Sequence, residues 1–248
     1  MLSLPDVTLV MIETRRHDLA RMAIEDCLRQ ADFGEALVFS DRRLAVQGAT
    51  YVAIDDFPTK LGWCEFLWRD VPAYVKTRQA LLIQWDSWIF DPAMWREDFL
   101  AFDYIGAPWW YHDGRNVGNS GFSLRSKRLM DFLAKREARF PVTTPAEDDL
   151  LCRRYRPAIE QETGFCWAPE DVALDFAFER IRAARDSRHF GFHGTFNWPF
   201  VLDADRLAER VAIAQRDPYI VNTGMLAEIA AVEAHPFPWR RPHWQQAA

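Results

Sequence analysis

Asp86 follows the apolar run of LLIQWDSWI, so its carboxylate stands just past a buried strand, at the mouth of a sheet. A carboxylate there suits a hard cation, Mg2+ or Mn2+, which takes oxygen ligands and bridges to the phosphates of a leaving nucleoside diphosphate. The same Asp also fits the opening of a turn before Ser87. His193 lies in FGFHG among aromatics and glycines. Its imidazole binds Mn2+ when neutral and hydrogen-bonds phosphate when protonated; the alternative is a structural ring packed between Phe192 and Phe196.

Two further stretches carry polar chemistry. In GNSG, Gly118, Ser120 and Gly121 surround Asn119, which lets a ligand approach the backbone while the amide reads hydroxyls; a tight turn before a strand uses the same residues. In AEDDLLCRRY, Glu147 and Asp148 are candidate acid–base carboxylates. Thr144, Pro145 and Glu147 also have the spacing of N-cap, N1 and N3 in a capping box, which leaves Asp148 as the better base if Glu147 caps the helix. A second acidic pair, Glu170 and Asp171, precedes Val172, Phe176 and Glu179 at helical spacing and reads as an acidic helix start, with the general base as its alternative role.

The elements that must position these residues follow from hydrophobic period. Residues 7–13 (VTLVMIE) predict a buried strand and 17–29 a helix with Leu19, Met22, Ala23 and Cys27 on one face. Strands are expected at 36–40, 51–54 and 80–84, with a helix over 64–78. Two more strands are expected at 104–110 and 121–124, and Ser126 is placed to cap a helix over 127–135. Helices are expected at 145–154, 203–214 and 223–234, followed by a Pro- and Trp-rich tail. The alternation predicts an α/β fold with a mostly parallel sheet, in which ligands bind beyond the C-terminal strand ends.

Composition narrows the class. The 248 residues carry a formal net charge of −6, which argues against a nucleic-acid binder, so a diphosphate would need a cation or a few well-placed arginines and lysines. Eleven Trp and eighteen Phe suffice for a core and leave rings over for stacking on sugar faces. Cys27, Cys64, Cys152 and Cys166 form no CxxC pair and read as reduced thiols. No signal peptide or membrane-spanning run is apparent, so the expected location is cytoplasmic, compatible with peripheral contact at the inner face of a membrane.

The ordered set of YVKTRQALLIQWDSWI, GNSGFSLRS, AEDDLLCRRY and FGFHG resembles an uncharacterised bacterial family assigned to glycosyltransferases of the GT-A fold, over residues 7–194. QWD stands where that fold has its DxD element, with the neutral Gln84 replacing the first Asp. The resemblance implies one GT-A-like domain over residues 1–248, with a nucleotide-binding mixed sheet flanked by helices, a core at 7–200 and a helical extension at 201–248. It implies Mn2+ or Mg2+ held by Asp86 and His193, and the general base of an inverting transferase at Glu147–Asp148. Donor and acceptor contacts would come from Thr14, Arg15, Lys76, Arg78, Gln84, Trp85, Gly118, Asn119, Ser120 and Gly121, with Arg16 beside them. A UDP-sugar is the favoured donor and a carbohydrate or glycoconjugate the acceptor. A glycoside hydrolase and a carbohydrate-binding protein without catalysis remain the rival readings.

Overall fold

The computed structural model describes residues 1–111, 113–180 and 188–234. A six-stranded sheet has the order β3-β2-β1-β4-β6-β5. β1 (Leu2–Ile12), β2 (Ala31–Ser40), β3 (Thr50–Ala53) and β4 (Gln79–Ile83) pair in parallel. β5 (Tyr104–Gly106) and β6 (Phe122–Ser126) close the far edge, β6 running antiparallel to both of its neighbours. The sheet is therefore mixed, as expected.

The two-residue period of the strands divides the core between the faces of the sheet. Leu9 and Met11 of β1, Leu81 and Ile83 of β4 and Phe122 and Leu124 of β6 pack in one cluster with Leu19, Ala23 and Cys27 of α1 (His17–Gln30). Val10, Ile12, Ala80 and Leu82 face the other way. They meet Leu67 and Trp68 of α2 (Lys60–Arg69) and Leu129, Met130 and Leu133 of α3 (Lys127–Lys135). On β6 this second face carries Ser123 and Arg125, both buried, so a charge enters the core by strand geometry alone. Ser126 caps α3 as expected, its hydroxyl accepting from Leu129 N at 3.1 Å.

Several boundaries differ from the expected ones. α2 ends at Arg69 and gives way to a short 3-10 turn, Val71–Ala73, because Pro72 has no N–H for a helical bond. β5 stops at Gly106 before Pro108, which likewise cannot donate to a ladder. The capping box does not form: Ala146 is the N-cap and makes no side-chain cap bond. From there α4 (Glu147–Asp149) widens into a π-helical stretch, Leu150–Tyr155, and continues as α5 (Arg156–Thr163). Pro157 accounts for the wide turn, since it cannot bond to the carbonyl four residues back. α6 (Glu170–Phe176) ends before Glu179, which follows β7 (Ala177–Phe178) instead; β7 pairs in parallel with β8 (Gly191–Phe192).

The C-terminal helices α7 (Trp198–Val201), α8 (Ala204–Ala214), α9 (Pro218–Asn222) and α10 (Met225–Ala234) contribute Trp198, Leu207, Ala214, Ile220 and Ile229 to the α1 face. Buried Asp26 of α1 accepts from Arg206 and Arg210 of α8, each at 2.5 Å, and so fixes that packing. The Pro- and Trp-rich tail lies outside the described residues. Cys27, Cys64 and Cys152 are buried, and burial pushes their thiols up to about 12, which leaves them unreactive. Among the described residues no helix is long and apolar enough to cross a membrane.

Candidate active site

The C-terminal end of β4 leads into a turn in which Ser87 N donates to Gln84 O at 3.1 Å. That turn is stitched to the start of β6: Gln84 N donates to Gly121 O at 3.0 Å, and Ser87 Oγ to the same carbonyl at 2.5 Å. FGFHG runs beside it, with Phe90 N donating to Phe190 O at 2.8 Å and Gly194 N to Asp86 O at 3.2 Å. Asp86 and His193, more than a hundred residues apart in the chain, are thereby neighbours. His193 Nε2 stands 3.5 Å from Asp86 Oδ1, a buried oxygen with no hydrogen-bond partner.

The other face of the imidazole is fixed as closely. Its Nδ1 lies 3.1 Å from Glu179 Oε1 and 3.0 Å from the Asn119 amide nitrogen. A Cβ on Gly121 would come within 2.1 Å of Nε2, so only glycine admits the ring here. Burial works against a charge on His193, but Asp86 and Glu179 on either side more than offset it and push its pKa up to about 10. Glu179 feels the opposite balance: burial raises it, and the His193 hydrogen bond and charge bring it below the usual carboxylate range.

Across the Asn119–Ser120 backbone lies the acidic pair. Glu147 is fully engaged, with Oε1 accepting from Arg125 Nη2 at 2.8 Å, and Oε2 accepting from Arg125 Nη1 at 3.2 Å and Trp68 Nε1 at 2.8 Å. It neither caps the helix nor keeps an oxygen free for proton transfer, which corrects its expected place among the catalytic carboxylates. Asp148 differs: Oδ2 accepts only a 3.3 Å bond from Ser120 N, and Oδ1 a 3.0 Å bond from Asp149 N. Burial and then the charge of Glu147 raise Asp148; burial is also the largest effect on Glu147, but the Arg125 charge together with the hydrogen bonds from Arg125 and Trp68 more than offsets it and lowers Glu147. Neighbouring carboxylates pushed apart in this way are suited to different tasks.

Thr14, Arg15, Arg16, Gln84, Trp85, Asp86 and His193 all border one cavity of about 280 Å³ above the C-terminal ends of β1 and β4. Thr14 Oγ1 donates to Asp56 at 2.6 Å, and Arg15 Nη2 to Phe57 O at 2.6 Å, which ties this wall to the segment after β3. Lys76 and Arg78 are not there. They precede β4 and line a separate cavity at the opposite end of the strand, so they are removed from the expected contacts. Gly118 packs under Trp109, and Glu170 and Asp171 are exposed on the first turn of α6.

Sequence reasoning missed three contributors. Lys60, at the start of α2, lines the same cavity, and its charge partly offsets the rise at Asp148. Helical spacing in the sequence places Glu179 on a helix face, and Arg125 belongs to none of the candidate sets. For Arg125 a signal existed, since alternation in FSLRS puts the Arg on a buried face where only a carboxylate could balance it. Among the described residues no group of three or more His, Cys, Asp and Glu side chains is arranged to hold a metal ion by itself.

Residues 62–193 match the family described as "Protein of unknown function (DUF5672)", and the chain belongs to that family. No curated protein matches the sequence. Among solved structures, the chain is similar to an active-site mutant of LgtC at 12% identity and a TM-score of 0.48, covering 83% of this chain and 95% of that one. It is also similar to the mannosyltransferase PcManGT from Pyrobaculum calidifontis, solved with GDP-Man and Mn2+, at 13% identity and a TM-score of 0.44, covering 95% of this chain and 79% of that one.

Two outcomes test this geometry. Glu147→Ala strands the buried Arg125 guanidinium and is expected to cost about 3–5 kcal/mol in urea unfolding, the usual penalty for half of a buried pair. A loss under about 1 kcal/mol would mean the pair is not structural. His193 has a folded pKa of about 10 against 6.5 for the free side chain. In EDTA its charge therefore stabilises the fold fully below about pH 6.5, and this contribution disappears as pH rises through about 10. The stability gap between the native protein and His193→Gln should narrow across that range; a constant gap would show a ring that stays neutral.

Proposed function

We propose that this protein is an inverting glycosyltransferase that moves a sugar from a nucleotide-sugar donor, with UDP-sugars first among candidates, to the hydroxyl of a carbohydrate or glycoconjugate. The observation that carries this reading is the convergence of three groups at one sheet edge. A buried Asp86 oxygen that makes no hydrogen bond stands 3.5 Å from His193 Nε2 on the cavity wall, and Asp148, with its raised pKa, lies outside that lining across the Asn119–Ser120 backbone.

The residues fit a hard divalent cation. Two ligands each roughly 2.1 Å from one ion lie no more than about 4.2 Å apart, and Asp86 Oδ1 and His193 Nε2 are 3.5 Å apart. Bound there, Mn2+ or Mg2+ would supply charge stabilisation for a departing diphosphate. With an ion at Nε2, Glu179 would accept a hydrogen bond from Nδ1–H and hold the neutral imidazole with Nε2 toward Asp86, the ion displacing the proton that the ring carries without metal. Gln84 adds no charge, and Lys60 and Arg15 on the cavity wall offset the phosphates instead. Asp148 takes the acceptor proton as the acceptor oxygen bonds to the anomeric carbon and the bond from that carbon to the diphosphate breaks on the opposite side. A carboxylate whose burial raises its pKa is the stronger base for that step.

Calorimetry with UDP and GDP tests the donor site: binding should require Mn2+ and vanish in EDTA, and equal affinity in both would sink the metal assignment. Asp86→Ala and His193→Ala should be strongly non-additive in nucleotide affinity, since both act on one ion; additive losses would separate them. Asp148→Asn should leave nucleotide binding intact and reduce release of the nucleoside diphosphate by roughly 10²–10⁴. Normal turnover by that variant, with Asp171→Asn inactive, would move the base to the exposed pair on α6.

A further inference from the structure

A second cavity, of about 440 Å³, adjoins the first and shares Arg15, Arg16 and Tyr219 with it. Its remaining wall includes Arg42, just after β2, Arg216, between α8 and α9, and the first turn of α1. The charge pattern here is unlike the rest of the protein. The chain has 36 acidic and 30 basic residues, and among the described residues nearly every arginine lies against a carboxylate. The described arginines without one are Arg42, Arg43, Arg115 and Arg216, and two of these four border this single cavity.

Two carboxylates share the lining with Arg15, Arg16, Arg42 and Arg216 and do not cancel that excess: Asp18, exposed on the first turn of α1, makes no ion pair among the described residues and offsets one of the four guanidiniums. Asp217 is held 3.1 Å from Arg16 and also caps α9, accepting from Tyr219 N and Ile220 N. Asp41 is taken up by His17 Nε2 at 2.6 Å. The His17 ring, itself 7% exposed, lines the cavity, while its Nδ1 is a buried atom that makes no hydrogen bond. Residue 16, at the N-cap of the fourteen-residue α1, is an arginine that makes no cap bond, so the first-turn N–H groups are not satisfied by a capping side chain. Unpaired guanidiniums beside an uncapped helix start favour a compact, doubly charged oxyanion over a single carboxylate.

We propose that this cavity is a second ligand site, separate from the donor cavity, that takes a phosphomonoester group between Arg42 and Arg216. It stands independently of the transferase reading, because neither arginine borders the cavity that holds Asp86 and His193. The phosphate could belong to a soluble metabolite or to a lipid headgroup, and the two are separable.

The full chain is titrated calorimetrically with glucose 6-phosphate and with inorganic phosphate, in EDTA and without nucleotide. In a second arm it is sedimented with phosphatidylcholine vesicles with or without phosphatidic acid. Binding in either arm should weaken about tenfold or more in Arg42→Ala/Arg216→Ala, the loss expected for charge-assisted hydrogen bonds, and should survive Asp86→Asn. Both arginines are exposed, so the double variant should fold, which circular dichroism verifies. Calorimetric binding identifies a soluble ligand, and sedimentation a headgroup. No binding in either arm, equal binding by the double variant, or full displacement by UDP or GDP with Mn2+ would overturn the proposal, the last by making the cavity an extension of the donor cleft. Loss of nucleotide binding with phosphate binding retained would instead count against the transferase reading alone.

Discussion

The turn at Asn119 holds together everything on this edge of the sheet. Its backbone sits in the left-handed region, at φ 67°, where a non-glycine residue is strained unless its side chain compensates. Here the amide oxygen accepts from Gly121 N at 2.9 Å and Phe122 N at 3.3 Å, which fixes the direction of the amide nitrogen toward His193. The same turn sends Ser120 N to Asp148, offers Gly121 O to the QWDS turn, and takes the buried Tyr104 hydroxyl on Asn119 O at 2.9 Å. Glycine at 121 is required for a different reason: the imidazole occupies the space where a Cβ would be.

Charge is arranged around that turn in two separate triads. On one side His193 lies between Asp86 and Glu179, and on the other Glu147 lies with Arg125 and Asp148. The second triad explains why two adjacent carboxylates behave oppositely. Helical geometry turns Glu147 inward to Arg125, which favours its charged form, and that charge then adds to burial in raising Asp148. A buried ion pair adds little net stability compared with an apolar pair of the same shape. What it contributes here is a fixed negative charge beside a half-buried carboxylate.

Most of the scaffold was legible because apolar period needs no partner to be read. The strands after residues 7, 36 and 80, the first helix and the Ser126 cap follow from it directly. The contact of Asp86 with His193 was legible only through the order of motifs, since no local pattern joins residues so far apart. Glu179 was hidden by its own surroundings: Val172 and Phe176 continue a helical spacing through it, and the two-residue strand that intervenes is too short to show as alternation. Lys76 and Arg78 illustrate the opposite error. Only five residues lie between Arg78 and Gln84, but all five form β4, and an extended strand carries its two ends to opposite edges of the sheet.

The helices after residue 201 are more than an extension of the core. α8 is fastened to α1 through Asp26, the carboxylate of which meets three arginines, Arg29, Arg206 and Arg210. That attachment sets where the chain emerges for Asp217, Tyr219 and Met225. Asp217 then holds Arg16, whose guanidinium lies 4.5 Å from the Tyr219 ring and 5.2 Å from the Trp85 ring. Trp85 belongs to the QWD turn, so the helices after residue 201 reach the Asp86 site through a stacked arginine as well as through Tyr219 and Met225 on the cavity wall. A cavity built from the first strand end, the central turn and the C-terminal helices cannot form until all three have docked. Ligand affinity there is consequently a measure of the whole fold rather than of any one motif.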